Sequence, residues 1–383
     1  MKRALEQMPR LKSFSWGYRR ETLIPLGPPG PNDRHFPPVI FDVLQHLGSV
    51  EHFRLNIYDS FKFNEPVEQC GLWKMAQLRS LLVTGRHDYW PSTLRSNAAI
   101  LVNWLNSLSS LELLHLPPGM LEEHHAALFF PNLRRLKLST SDFPRDISGK
   151  ILDFLGRHQA IEELVWDSRM FPPTHFNHPP DFLPNLRRFD GQYPFLLALI
   201  SQTEINLLPP RKFESLALGW YPDADHINKL CTSSGIDHQA LRFLSLSVHQ
   251  TIRDVHDLAT AFPMIEELSL PSVDRGEASP VGEFLSGLEL LKNLKALYRD
   301  VIWCDLGIRK GGSDLDLHDP DLQLIVDERI QTFARRCPNL IQVTHPKVYD
   351  WFIEIGRDNG EVLTRILPVP RRSRFEIQYY GFW

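Results

Sequence analysis

The stretch LELLHLPPGMLEEHHAALFFPNLRRLKL, residues 111–138, decides the fold. It holds the same short pattern twice: an apolar residue, two variable, an apolar, one variable, an apolar. The pattern is LELLHL at Leu111–Leu116 and LRRLKL at Leu133–Leu138. It returns as IEELVW (Ile161–Trp166), FESLAL (Phe213–Leu218), LRFLSL (Leu241–Leu246) and IEELSL (Ile265–Leu270). Weaker copies are LKSFSW (Leu11–Trp16), VEHFRL (Val50–Leu55), LRSLLV (Leu78–Val83) and LRRFDG (Leu186–Gly191); LKALYR (Leu294–Arg299) and LIQVTH (Leu340–His345) are degenerate. From Val50 to Leu294 the copies advance 244 residues in nine steps, about 27 per step. A single LxxLxL arises readily by chance, but twelve in phase do not.

The last two apolar positions of each copy are two residues apart, so they share one face of a strand, and the residues between them take the other face. Helix-like stretches lie between copies: Ser92–Leu108, Arg145–His158, Ile252–Phe262, Val281–Leu291 and Asp319–Cys337. Asp319-Pro320 is an N-cap and first-turn pair. FPNL, LPNL, FPMI, MPRL and CPNL precede several strands; Pro there stops the helix and turns the chain into the strand. One strand plus one helix cannot bury its own apolar face, whereas a stack of such units can. The predicted fold is therefore α/β: a solenoid with a curved parallel sheet on its concave face, helices on its convex face and about 12 irregular repeats. A doubly wound sheet also alternates strand and helix, but the fixed register and short period speak against it.

These residues resemble the leucine-rich-repeat superfamily, whose period spans 20–29 residues. FPNLRRLKLST and CPNLIQVTHP resemble the repeat region of F-box leucine-rich-repeat proteins of the fungal type. The resemblance implies substrate recognition in an SCF-type ubiquitin ligase, where an F-box docks the adaptor Skp1, bound to a cullin, and the repeats hold the target. Two departures stand out. The ninth position of the repeat consensus is usually Asn or Cys, but here it is Ser141, Arg169, His249 and Val273 in four of the clearer repeats. No F-box is evident ahead of the first copy at Leu11. Pro37–Phe53 is faintly similar to an F-box opening but reads as the convex helix between the copies at Leu11 and Val50. Docking of Skp1 and cullin is expected only if an F-box or its equivalent is present, and the chain is expected to be a shortened relative of a longer protein.

Residues 1–345 are assigned to the solenoid and 346–383 to a C-terminal hairpin cap and tail of the same domain. VYDWFIEIG and EVLTRIL flank Asn359-Gly360, a hairpin-turn signal, and Val348–Leu367 is read as a hairpin with Arg374–Trp383 beside it. Three loops break the spacing: Gly17–Pro38, Ser168–Phe182 and Arg299–Asp321.

The 383 residues carry 42 Lys and Arg against 46 Asp and Glu, a net charge of −4, which argues against a general nucleic-acid binder. Hydrophobic residues at 43% and charged residues at 23% argue against wholesale disorder. No apolar run is long enough for a membrane helix, and the N-terminus lacks the apolar core of a secretory signal. Four scattered cysteines form no disulfide framework. A cytoplasmic or nuclear setting is expected.

Enzyme signatures are missing: no GxxxxGK[ST], GxGxxG, HExxH or GxSxG occurs. RKGGSD (Arg309–Asp314) lacks phosphate-loop spacing. DLDLHDPD fails the calcium-loop pattern, with Asp319 and Ile325 where Gly and Glu belong. His175 and His178 lack a third zinc ligand, His124 and His125 point apart on a helix, and Cys231 and Cys337 read as small buried fillers. The basic Arg371, Arg372 and Arg374 read as a solvated tail. No catalytic residue, cofactor or metal is expected.

The concave face is the default binding surface of a solenoid. Its expected contact residues are Arg54, Leu82, Leu113, His115, Arg135, Lys137, Glu163, Val165, Arg188, Phe243, Glu267 and Tyr298. The mixed signs suit a protein or peptide target rather than nucleic acid. Leu82, Leu113, Val165 and Phe243 are read either as outward apolar anchors or as residues beneath loops. The function expected is a non-enzymatic protein-interaction module of the F-box protein type. An alternative is a stand-alone scaffold or inhibitor; a third reading, from another class, is a hydrolase or metal-dependent enzyme acting through the loops near His175 or Asp314.

Overall fold

The computed structural model describes residues 2–16, 35–36, 39–57, 62–63, 70–85, 98–116, 121, 123–138, 145–146, 149–166, 170–171, 179, 181–219, 224–246, 252–270, 287–298, 324, 328, 330–331, 333–344, 351–358 and 361–368. The chain forms two compact units, Met1–Leu186 and Arg187–Trp383. It is an α/β structure in which fourteen sheet strands, six in the first unit and eight in the second, are mostly parallel.

The first unit pairs β1 (Ser13–Trp16), β2 (His52–Ile57), β3 (Ser80–Gly85), β4 (Leu113–Leu116), β5 (Arg135–Leu138) and β6 (Glu163–Trp166), in that order and all parallel. The second unit pairs β7 (Arg188–Gln192), β8 (Ser215–Gly219), β9 (Phe243–Leu246), β10 (Glu267–Ser269), β11 (Ala296–Tyr298) and β12 (Gln342–Thr344) in the same way. Each strand is one copy of the sequence pattern. The register is constant: Leu114 faces Leu136, which faces Leu164, and Leu216 faces Leu244, which faces Leu268. These residues lie on the helix side and are fully buried.

Helices cover that side. Gly149–Arg157 buries Ile151, Leu152, Phe154 and Leu155, which form one apolar stripe. Its start differs from the expected Arg145, because Arg145–Asp146 instead pairs as a short strand with Met170–Phe171. Ala98–Ser107, inside the expected Ser92–Leu108, buries Leu101, Trp104 and Leu105. Ile252–Ala261 matches its expected span to within a residue. Val39–Leu47 buries Ile40, Phe41, Val43 and Leu44 and ends at Gly48, whose φ of +60° is the left-handed conformation glycine adopts at a helix C-terminus. The helix Tyr193–Ile205 was not legible in the sequence. YPFLLALISQTEI is apolar nearly all round, so no face stands out, and Pro194 in its first turn is what starts it. Among the described residues no helix is long and apolar enough to cross a membrane.

Four strands are entered by the same Pro-containing turn. The amide of the first apolar residue donates to the carbonyl three residues earlier: Leu133 to Phe130, Leu186 to Leu183, Ile265 to Phe262, Leu340 to Cys337. Pro holds the second position of this turn and Asn often the third, as a β-turn favours. The Asn side chain then reaches the previous repeat. Asn132 Nδ2 donates to the Ser109 carbonyl (2.8 Å), Asn185 to Gln159 (3.0 Å) and Asn339 to Lys292 (2.6 Å). An asparagine ladder therefore exists at the entrance to the strands; Ser141, Arg169, His249 and Val273 of the exit turns lie outside the described residues.

A second ladder runs along the residue after that first apolar position. Its carbonyl accepts two amides from the next strand: Lys12 O binds the N–H of Glu51 and of His52, both at 2.9 Å. The side chains there alternate in sign through the chain: Lys12, Glu51, Arg79, Glu112, Arg134, Glu162, Arg187, Glu214, Arg242, Glu266, Lys295. Lys12 meets Glu51 at 2.8 Å, Arg134 meets Glu162 at 3.4 Å, Arg187 meets Glu214 at 3.4 Å and Lys295 meets Glu266 at 2.6 Å. Ile341 ends the series, and there the sheet turns antiparallel: β12 pairs with β13 (Trp351–Asp358), which pairs with β14 (Glu361–Pro368). Arg357 of β13 donates to the carbonyls of Leu340 (2.7 Å), Cys337 (3.0 Å) and Ala334 (3.1 Å), so one guanidinium ties β13 to the turn that enters β12.

Two outcomes are expected. Leu136→Ala opens a cavity in a fully closed layer and lowers the free energy of unfolding in urea by about 2–5 kcal/mol. Glu112→Arg places three like charges side by side, between Arg79 and Arg134; thermal scans show a lower Tm, and added salt narrows the loss because these charges are solvent-exposed.

Candidate functional site

The strand side facing away from the helices is built from the first and third residue of each strand. In the first unit the first-residue row is Ser13, His52, Ser80, Leu113, Arg135 and Glu163, and the third-residue row is Ser15, Arg54, Leu82, His115, Lys137 and Val165. The fold thus assembles eight of the expected contact residues on one surface. In the second unit the rows are Arg188, Ser215, Phe243, Glu267, Ala296 and Gln342, and Asp190, Ala217, Ser245, Ser269, Tyr298 and Thr344. These hold the other four.

Accessibility divides the rows. Arg54 and Arg135 are exposed; Leu82, Leu113, Glu163, Arg188, Phe243, Glu267 and Tyr298 are half-buried. The third position sinks deeper: Val165, His115 and Lys137 are buried, as are Ala217, Ser245, Ser269 and Thr344. Of the four apolar residues, Leu82, Leu113 and Phe243 retain some exposure and Val165 has almost none.

The electrostatics follow from this burial. His115 has its pKa pushed down to about 3, first by loss of solvent and then by the charges of Lys137 and Arg54, so it stays neutral at physiological pH. Arg135 Nε lies 3.8 Å from Glu163 Oε2. In the second unit the Tyr298 hydroxyl donates to Glu267 Oε2 at 3.3 Å, and burial beside that carboxylate raises its pKa.

A second buried histidine belongs to the frame. His158 Nε2 accepts the Phe130 amide at 3.0 Å while Nδ1 donates to the Phe154 carbonyl at 2.7 Å, which fixes the neutral Nδ1–H tautomer. Its pKa falls to about 4, chiefly by burial among Phe130 and Phe154. The Cys337 thiol is pushed up to about 12, again by burial first, and its Sγ lies 3.7 Å from the Leu288 carbonyl. A thiol so protonated is a packing group and no nucleophile.

No group of three or more His, Cys, Asp or Glu side chains able to hold a metal ion occurs among the described residues. His124 and His125 sit at the start of a one-turn 3-10 helix, His125–Ala127, both half-buried. His175, His178, Arg309–Asp314, Asp316–Asp321, the tail arginines and most of the three long loops lie outside the described residues. No protein-family model matches this sequence, and no curated protein matches it.

Both buried histidines imply a pH dependence. Each has a folded pKa below the ordinary 6.5, so the unfolded chain binds more protons between those values. The stability they support is complete above about pH 6.5 and is lost as pH falls toward 4. Urea denaturation at pH 7 and pH 5 is expected to show a loss on the order of 1–2 kcal/mol per histidine, and His158→Gln flattens that slope.

Proposed function

We propose that the chain is a leucine-rich-repeat protein that acts by binding another protein or peptide through its strand faces, without catalysis. One contrast carries the reading: the helix-facing positions of the strands are closed and apolar, while the opposite positions hold chemically diverse side chains in strict register with graded exposure. A core needs only the first set. The second has the mixture of apolar and charged groups that recognition of a protein uses.

The ligase role implied by the family resemblance needs a docking element for Skp1 and cullin. In Pro37–Phe53, Ile40, Phe41, Val43 and Leu44 are buried under the sheet, and the segment leads directly into β2. Those apolar groups serve the array itself, which favours the alternative of a scaffold or inhibitor.

The test is affinity purification of the tagged full chain from its own cells. A stoichiometric protein partner is expected, and Leu82→Glu with Phe243→Glu is expected to abolish its capture while far-UV circular dichroism stays unchanged. Recovery of Skp1 together with cullin would restore the ligase reading. Absence of any partner, or capture indifferent to both substitutions, would sink the binding role.

A further inference from the structure

The strand faces of the two units differ in charge. Among the twelve first- and third-position residues of the first unit stand three fixed cations, Arg54, Arg135 and Lys137, against one carboxylate, Glu163. The same twelve positions of the second unit hold one cation, Arg188, against Asp190 and Glu267. The chain as a whole is acidic, so the first face is a local reversal.

Its cations are arranged around an apolar centre. Arg54 lies on β2, Leu82 on β3, Leu113 on β4 and Arg135 on β5. Three inter-strand steps of about 4.8 Å each and an offset of two residues along the strands separate the two arginines, roughly 16 Å between backbones. A peptide running diagonally across the strands in extended form advances about 3.3 Å per residue, so residues four apart lie about 13 Å apart, and the long arginine side chains close the remaining distance of about 3 Å. Residues four apart on such a peptide point to the same side, as does the one midway between them. Arg54 is exposed and forms no ion pair with another described residue, and Arg135 is exposed with its 3.8 Å contact to Glu163 beyond hydrogen-bond length. Both guanidiniums are therefore able to take a carboxylate bidentately. Lys137, two residues beyond Arg135 on β5, is buried, and Lys137 and Arg54 both act on His115 from opposite sides of the row.

We propose that the strand face of the first unit binds an extended acidic peptide segment of a partner protein, with carboxylates at positions i and i+4 on Arg54 and Arg135 and an apolar side chain at i+2 over Leu82 and Leu113. This rests on the binding-protein reading above and specifies the chemistry of the partner.

The experiment uses the whole chain and a fluorescein-labelled peptide containing Glu-Ser-Leu-Ser-Glu, read by anisotropy. Binding is expected, weakening with salt. Arg54→Glu and Arg135→Glu are each expected to weaken it about tenfold or more, Arg54→Lys to weaken it less than the reversal, and Lys150→Glu, an exposed charge on the helix Gly149–Arg157, to leave it unchanged. Arg54→Glu is expected to keep the parent Tm; Arg135→Glu sets a carboxylate beside Glu163 and lowers it, so Arg135→Gln, which keeps the Tm and loses the charge, is read beside it. No binding, equal binding of a Lys-Ser-Leu-Ser-Lys peptide, tighter binding of a single-stranded oligonucleotide, or insensitivity to both reversals overturns the proposal. If a cellular partner is still captured by the Arg54→Glu, Arg135→Glu double variant, the acidic-segment proposal falls while the binding role stands. If no partner is captured by the parent chain, it is the binding role that fails.

Discussion

The doubled acceptance of amides at the entrance of each strand is the constraint on which the remaining structure depends. One carbonyl per repeat takes two N–H groups from the next strand, so successive strands cannot slide. A one-residue slip would carry every buried leucine to the opposite face. With the register held, like positions stack upon like positions. Within each unit the leucines then close a layer, Pro-Asn turns come within reach of the preceding repeat, and the charged second positions become neighbours. None of the exposed ion pairs contributes much individually. Their regular alternation instead penalises wrong pairings, a matter of specificity more than of strength.

The strands were readable because their apolar positions repeat in a fixed frame, and the helices Gly149–Arg157 and Ile252–Ala261 because each presents one apolar stripe. Tyr193–Ile205 escaped since a helix buried on most sides has no stripe. The asparagine and charge ladders were present in the letters, in FPNL, LPNL and CPNL and in the alternation from Lys12 to Lys295. They become meaningful only when strands some 27 residues apart are laid side by side. The site was legible in part. Period-two alternation puts the twelve expected residues at the first and third strand positions, yet it carries no information on what else lies there, so the burial of His115 and Lys137 was not legible, and for Val165 it was one of two open readings.

That burial shapes what the faces can do. A histidine held neutral between two cations contributes bulk and a dipole where a third positive charge would otherwise stand. The exposed arginines at the first and third positions thus remain separate charges with an apolar interval between them. In the second unit, hydroxyls and carboxylates occupy the equivalent places, and Tyr298 is tied to Glu267.

The alternation of sign also gives the array a parity. Its true repeating unit is a pair of strands, one basic and one acidic at the entrance. Duplication or deletion of a single repeat inside the array would set like charges in contact at the junction, whereas gain or loss of two would leave the pattern intact. Growth of such a chain is therefore easiest in even steps, and an exchange of strands between two molecules would meet the same arithmetic, closing smoothly only at offsets of two.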